Sequence, residues 1–183
     1  YKHGNSTFML GMHDSGNHSG LFGQASDDTK TIASSFIHNS RAVDHLAVIS
    51  GVMKEKDTLL GSKHSGAIGI SGSNPKSYFN GFNIEHSFND NLSFKANTIL
   101  ARTIVKNPNN SLIHSFSPIS SSSFEISLIK KNIFDTDDRL LISLSQPNRI
   151  ETGSMNFKIQ DLADSYGNIK HNLKKINLEP SGR

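Results

Sequence analysis

The chain has 183 residues, of which 34% are hydrophobic, with a net charge of +3 and neither cysteine nor tryptophan. The missing cysteine excludes disulfides, thiolate metal sites and a cysteine nucleophile, and the scattered basic residues leave no nucleic-acid footprint. No run of about eighteen apolar residues exists to form a transmembrane helix, although strands can cross a membrane with only about 9–11 alternating residues each.

Abundant Ser, Asn and Gly suit short strands joined by polar turns, as in barrels with a wet inner face. The expected domain organisation is one β-domain segment, 1–183, with 1–28 irregular and 79–178 carrying the clearest strands. Tyr1 is no initiator methionine and Arg183 directly follows a motif, so the segment is read as a fragment of a longer product.

In chain order, Thr7–Leu10 reads as a strand, and Gly11–Gly20 (GMHDSGNHSG) as a loop by composition. Over 29–38 the alternation is weak, with Ile32, Ser34 and Phe36 on one face. Val43–Val52 is a better strand and ends at a charged turn, Lys54–Asp57. Within Gly61–Ser73, residues Ala67, Ile68 and Ile70 suggest a short glycine-rich strand, closed by the turn Ser73-Asn74-Pro75. Phe82, Ile84, His86 and Phe88 then alternate with Asn83, Glu85 and Ser87. After Asn89-Asp90-Asn91, the residues Leu92, Phe94, Ala96, Thr98 and Leu100 continue the pattern, which predicts a hairpin.

Beyond a polar loop at Lys106–Asn110, an irregular stretch runs to Ser120–Ser123. Phe124, Ile126 and Leu128 alternate with Glu125, Ser127 and Ile129, and Asp135–Asp138 is the next turn. Leu140, Ile142 and Leu144 follow in a strand that Pro147, lacking a backbone donor, should end or confine to a sheet edge. A turn at Thr152-Gly153 leads to Met155, Phe157 and Ile159, which alternate with Asn156, Lys158 and Gln160. The predicted fold class is all-β, an antiparallel meander of about nine or ten short strands forming part of a β-barrel-like domain.

The run SQPNRIETGSM, followed by NLEPSGR, resembles a refrain of one family. That family is the C-terminal autotransporter-like β-domain of subtilisin-like serine proteases of Gram-negative bacteria. Ser145, Gln146, Pro147, Arg149, Glu151, Gly153 and Ser154 match its pattern, as do Leu178, Pro180, Ser181, Gly182 and Arg183; Asn148, Ile150, Thr152 and Glu179 depart from it. The resemblance implies a non-catalytic domain, located in the outer membrane or secreted, that anchors or helps to export its own N-terminal protease domain. Its partners would be that protease domain and outer-membrane lipid, with no nucleic acid and no cofactor. The parent chain would be a subtilisin-like serine endopeptidase.

Other chemistry reads as bland. His13-Asp14-Ser15 cannot form a catalytic relay from adjacent positions, and neither a Gly-Thr-Ser-Met type motif nor a G-x-S-x-G elbow occurs. His3, His13, Asp14 and His18 lack metal-ligand spacing. Gly61–Gly72 lacks the frame of a phosphate-binding loop, and His86 on an apolar strand face is expected to be half-buried and hydrogen-bonded. No catalytic, cofactor-binding or metal residue is assigned. The alternative reading is a soluble β-sandwich accessory or binding module, in which Phe82, Ile84, Phe88, Leu92, Phe94, Phe124 and Ile126 form a dry core. A third is an independent enzyme built on the His13/Asp14 loop.

Overall fold

The computed structural model describes residues 5–15, 29–40, 43–63, 66–109, 111–135, 138–163, 166–167 and 169–180. Its strands are β1 (Asn5–Ser15), β2 (Thr29–Asn39), β3 (His45–Lys54), β4 (Thr58–Leu59), β5 (Ser62–Lys63), β6 (Lys76–Asn89) and β7 (Leu92–Ile104). They continue with β8 (Ile113–Phe116), β9 (Ile119–Lys131), β10 (Arg139–Thr152), β11 (Ser154–Ala163) and β12 (Ile169–Asn177). A seven-stranded sheet runs β1-β2-β3-β6-β7-β9-β10, and a three-stranded sheet runs β12-β11-β8. Every pairing in both is antiparallel. The large sheet is an open meander, with β1 and β10 as its edges among the described residues.

Several local expectations change. Gly11–Ser15 is strand and not loop, because pairing with Thr29–Ala33 satisfies its backbone despite its loop-like composition. Residues 66–68 form a 3-10 turn where a glycine-rich strand was predicted. Ser120–Ser123 is strand, in register with Ile99–Arg102. Pro147 meets the second of its two expected placements: it does not stop β10, and β10 lies at an edge of the sheet among the described residues. The register slips between Gln146 and Arg149, so the proline sits in a bulge on an edge strand, where its missing N–H costs no ladder bond.

Gly153 is a bend and not a hairpin turn. At φ 155° it carries the chain from β10 into β11, which pairs with β8 and β12. Across the bend, Ser117 N–H donates to Ser154 O (2.9 Å) and Ser154 N–H to Ser117 Oγ (2.8 Å). β8-β9 and β10-β11 are therefore one long hairpin folded at a corner. A Cβ on Gly153 would stand 3.1 Å from Cγ1 of the fully buried Ile119.

Among the described residues the buried apolar ones are Ala47, Ile70, Phe79, Val105, Ile113 and Ile119. None belongs to the dry core expected for a sandwich; Phe82, Phe88 and Ile126 of that set are 41%, 60% and 43% exposed. Much of the real core sits where segment 55–75 meets 105–113, tied by Lys106 N–H to Ser73 O and Asn109 N–H to Ser71 O. Glu55, only 4% exposed, organises this segment: its carboxylate accepts from Leu60 N–H (3.1 Å) and Gly61 N–H (2.7 Å). Glu55→Ala deprives the buried Thr58 hydroxyl and the two part-buried N–H groups of their acceptor and is expected to cost about 1–3 kcal/mol. A urea-midpoint comparison with Glu55→Gln, which keeps one acceptor oxygen and loses less, checks this.

Candidate functional site

The register passes the period-two alternation from strand to strand, so that one face collects most of the exposed apolar side chains, interrupted by a polar row of Ser34, Ser50 and Asn80. Phe8, Phe36, Val48, Phe82, Thr98 and Phe124 stand in one row across the sheet. The next row holds Leu46, Ile84, Ala96, Ile126 and Leu144. This face is open to solvent, with Met12 80% and Leu144 65% exposed. An apolar surface spanning seven strands far exceeds the scattered apolar residues of an ordinary soluble surface.

The opposite face mixes small and polar residues with a few packed apolar ones, Ile49, Phe79 and Ile99 among them. Ser77 and Thr103 are buried there and share a 2.8 Å hydroxyl hydrogen bond. Lys95 and Glu85, opposite each other on β7 and β6, pair at 3.0 Å. Asn97 lies between Asn83 and Glu125 in the next row. Alternation predicts two unlike faces, and the structure puts the apolar one outside.

The apolar band crosses the strands obliquely. On β1 it centres on Leu10, whose row runs through Ser34, Ser50, Asn80 and Leu100. On β10 it centres on Ile142, whose row runs through Leu128 and Phe94. On β7 those two rows lie six residues apart, at Leu100 and Phe94, and six pairings separate β1 from β10. The drift is therefore one residue per strand. With about 3.3 Å per residue and about 4.8 Å between strands, a level band implies strands tilted by about 35°.

Polar residues border the band at both ends of the strands. One border holds Lys30, Lys54, Lys76 and Arg102; the other holds His38, Asp44 and His86. Lys30 and His38 are eight residues apart, as the numbering gives, and Lys54–Asp44 and Lys76–His86 are ten apart. At that tilt the apolar height is about 22–27 Å, close to the ≈ 25 Å band of transmembrane barrels. At the second border Asp44 accepts Ser87 N–H at 2.6 Å. The Ser87 hydroxyl and then its N–H hold that carboxyl below its ordinary range. Asp138 in the β9–β10 turn is held low in the same way, by the N–H groups of Ile133 and then Phe134.

The sequence candidates fall apart as a catalytic set. Successive strand positions send His13 and Asp14 to opposite faces, and Asp14 pairs with Lys30 at 3.2 Å. His3 and His18 lie outside the described residues, among which no group of three metal-ligating side chains occurs. His86 is half-buried as expected but not hydrogen-bonded: its Nδ1 meets no partner, and the ring sits edge-on to Phe88 at 4.9 Å. The N–H groups of Gly61 and Gly72 are taken by Glu55 and Asp57, so that segment presents no phosphate cradle there.

The two motif halves do come together. Ser122 Oγ–H donates to Glu151 (2.7 Å), and Gln146 Nε2 donates to Ser122 Oγ (3.2 Å) across the Pro147 bulge. Leu178 N–H donates to Gly153 O at 2.9 Å, seating the start of the second half at the corner; Ser181–Arg183 lie outside the described residues. These groups hold a bulge and a bend. Compared with protein-family models, curated proteins and solved structures, the chain finds no match. No helix among the described residues is long and apolar enough to cross a membrane, which leaves strands untouched.

Proposed function

We propose that this chain is a non-catalytic, membrane-embedded β-domain of an outer-membrane subtilisin-like serine protease. It anchors the parent protein or assists export of the protease domain. The observation that carries the membrane half is the exposed apolar band, level only if the strands tilt by about 35°, within the range of closed barrels. Lipid covers the outward Phe, Leu and Ile side chains, and strand pairing satisfies the backbone where no water reaches it. The inner Glu85–Lys95 pair and the Asn83/Asn97 row suit a wet lumen. The protease half rests on the motif resemblance, and the partners on this reading are membrane lipid and the protein's own protease domain.

A soluble β-sandwich would need a second sheet over Phe82, Ile126 and Leu144, which are instead exposed, and the three-stranded sheet extends β9 and β10 past their corner. The test is folding the chain from urea into phosphatidylcholine vesicles. Carbonate-resistant association with protection of β2, β3, β6 and β7 from protease is expected. A monomeric chain remaining in the aqueous phase would overturn the membrane reading. A parent gene lacking Asp, His and Ser subtilisin motifs upstream would overturn the protease half alone.

A further inference from the structure

Lys30, Lys54 and Lys76 stand directly opposite one another on β2, β3 and β6, facing outward at the end of the apolar band. Like charges in direct cross-strand pairs are unfavourable, and a folded sheet keeps such a row at a cost. Asp14 meets Lys30 at 3.2 Å on the exposed surface. Lys54 and Lys76 have no carboxylate partner among the described residues. On β7 the residue opposite Lys76 is Ile104, and Arg102, opposite Tyr78, stands one outward-facing position nearer the middle of the sheet.

The second border is mixed in sign, with His38, Asp44, His86 and Lys130. The two borders also differ in their connections. On the lysine side β1 ends at Ser15 and β2 starts at Thr29, β3 ends at Lys54 and β6 starts at Lys76, and β7 ends at Ile104 and β9 starts at Ile119; on the other side the corresponding ends are Asn39 and His45, Asn89 and Leu92, and Lys131 and Arg139. In outer-membrane barrels the longer connections lie outside the cell and the short turns face the periplasm.

From this pattern we infer that Lys30, Lys54 and Lys76, with Arg102, form a belt that binds phosphate-bearing lipid headgroups of the outer leaflet. The inference rests on the membrane reading above. A phosphate between two of these ammonium groups relieves their repulsion, and the band places them at headgroup depth while their methylene stems cover its apolar edge.

The experiment compares entry of the 183-residue chain into vesicles of pure phosphatidylcholine and of phosphatidylcholine with one-quarter phosphatidylglycerol. The K54Q/K76Q variant is expected to enter neutral vesicles like the unsubstituted chain. It should lose most of the preference for anionic ones, about fivefold per lysine and near 25-fold together at low salt. K174Q/K175Q on β12, with the same charge change away from the band, should keep the preference. Equal preference in K54Q/K76Q and the unsubstituted chain overturns the belt, and so does an equal loss in K174Q/K175Q. Loss of the preference in millimolar inorganic phosphate at constant ionic strength points to a free-phosphate site and also overturns it. Failure of the unsubstituted chain to enter neutral vesicles overturns the membrane reading itself, and the belt with it.

Discussion

Arginine in place of Phe82 or Ile126 should stop the chain from entering vesicles, whereas arginine at Asn97 should not. Phe82 and Ile126 lie within one row of the band's mid-line on β6 and β9, facing outward. A cationic side chain at mid-depth on the lipid face costs about 2–4 kcal/mol, or about 30- to 1000-fold in the inserted fraction. Asn97 occupies the opposite face of β7, directly across from Glu125, where an arginine gains a carboxylate neighbour. In a soluble protein the signs change: an arginine at a solvent-exposed apolar position is worth within about ±0.5 kcal/mol and raises solubility. Protease protection in phosphatidylcholine vesicles, measured for F82R, I126R and N97R together, separates the two cases. Equal insertion of all three would remove lipid as the partner of this face.

Some of this was legible in the sequence and some was not. The β6–β7 hairpin reads directly, because Phe82–Phe88 and Leu92–Leu100 alternate strictly on either side of Asn89-Asp90-Asn91. β1 beyond Leu10 does not, since Gly11, His13, Asp14 and Ser15 are loop-like residues held extended by β2. Ser120–Ser123 hides for a similar reason: serine has little strand preference, but its small side chain fits the crowded inner face, where Ser121 is buried. The corner at Gly153 reads as a turn because a glycine at positive φ serves either, and only β8 decides between them. Alternation yields two faces without saying which is outside. The band's oblique course and its charged border need the register of seven strands, which no single stretch of sequence holds.

That register also predicts which glycine the sheet cannot do without. Gly51 on β3 lies opposite Phe79 on β6, on the inner face. Phe79 is 3% exposed, and its ring crosses the glycine so closely that an added Cβ would stand 2.5 Å from Cζ. The same Cβ would be 2.6 Å from Ile32 O and 2.9 Å from Ala33 Cβ, against the about 3.5–4.0 Å of an ordinary carbon contact. The ring fills the space left by the missing side chain, and in return the glycine is shielded, a pairing that pins register between the strands. G51A is expected to destabilise by about 2–3 kcal/mol through overpacking, and G51V by more. In G51A/F79A the ring clash disappears but the Ile32 carbonyl stays. The two substitutions should therefore couple by about 1–2 kcal/mol, and G51A should still cost stability without the ring. Gly81, with the nearest atoms to its added Cβ at 3.6 Å, is the control. G81A should be neutral or stabilising by about 0.4–1 kcal/mol, because alanine narrows the unfolded ensemble. Urea unfolding in detergent micelles of G51A, G51V, F79A, G51A/F79A and G81A measures the whole set, and equal costs for G51A and G81A would refute the assignment of Gly51 as a ring seat.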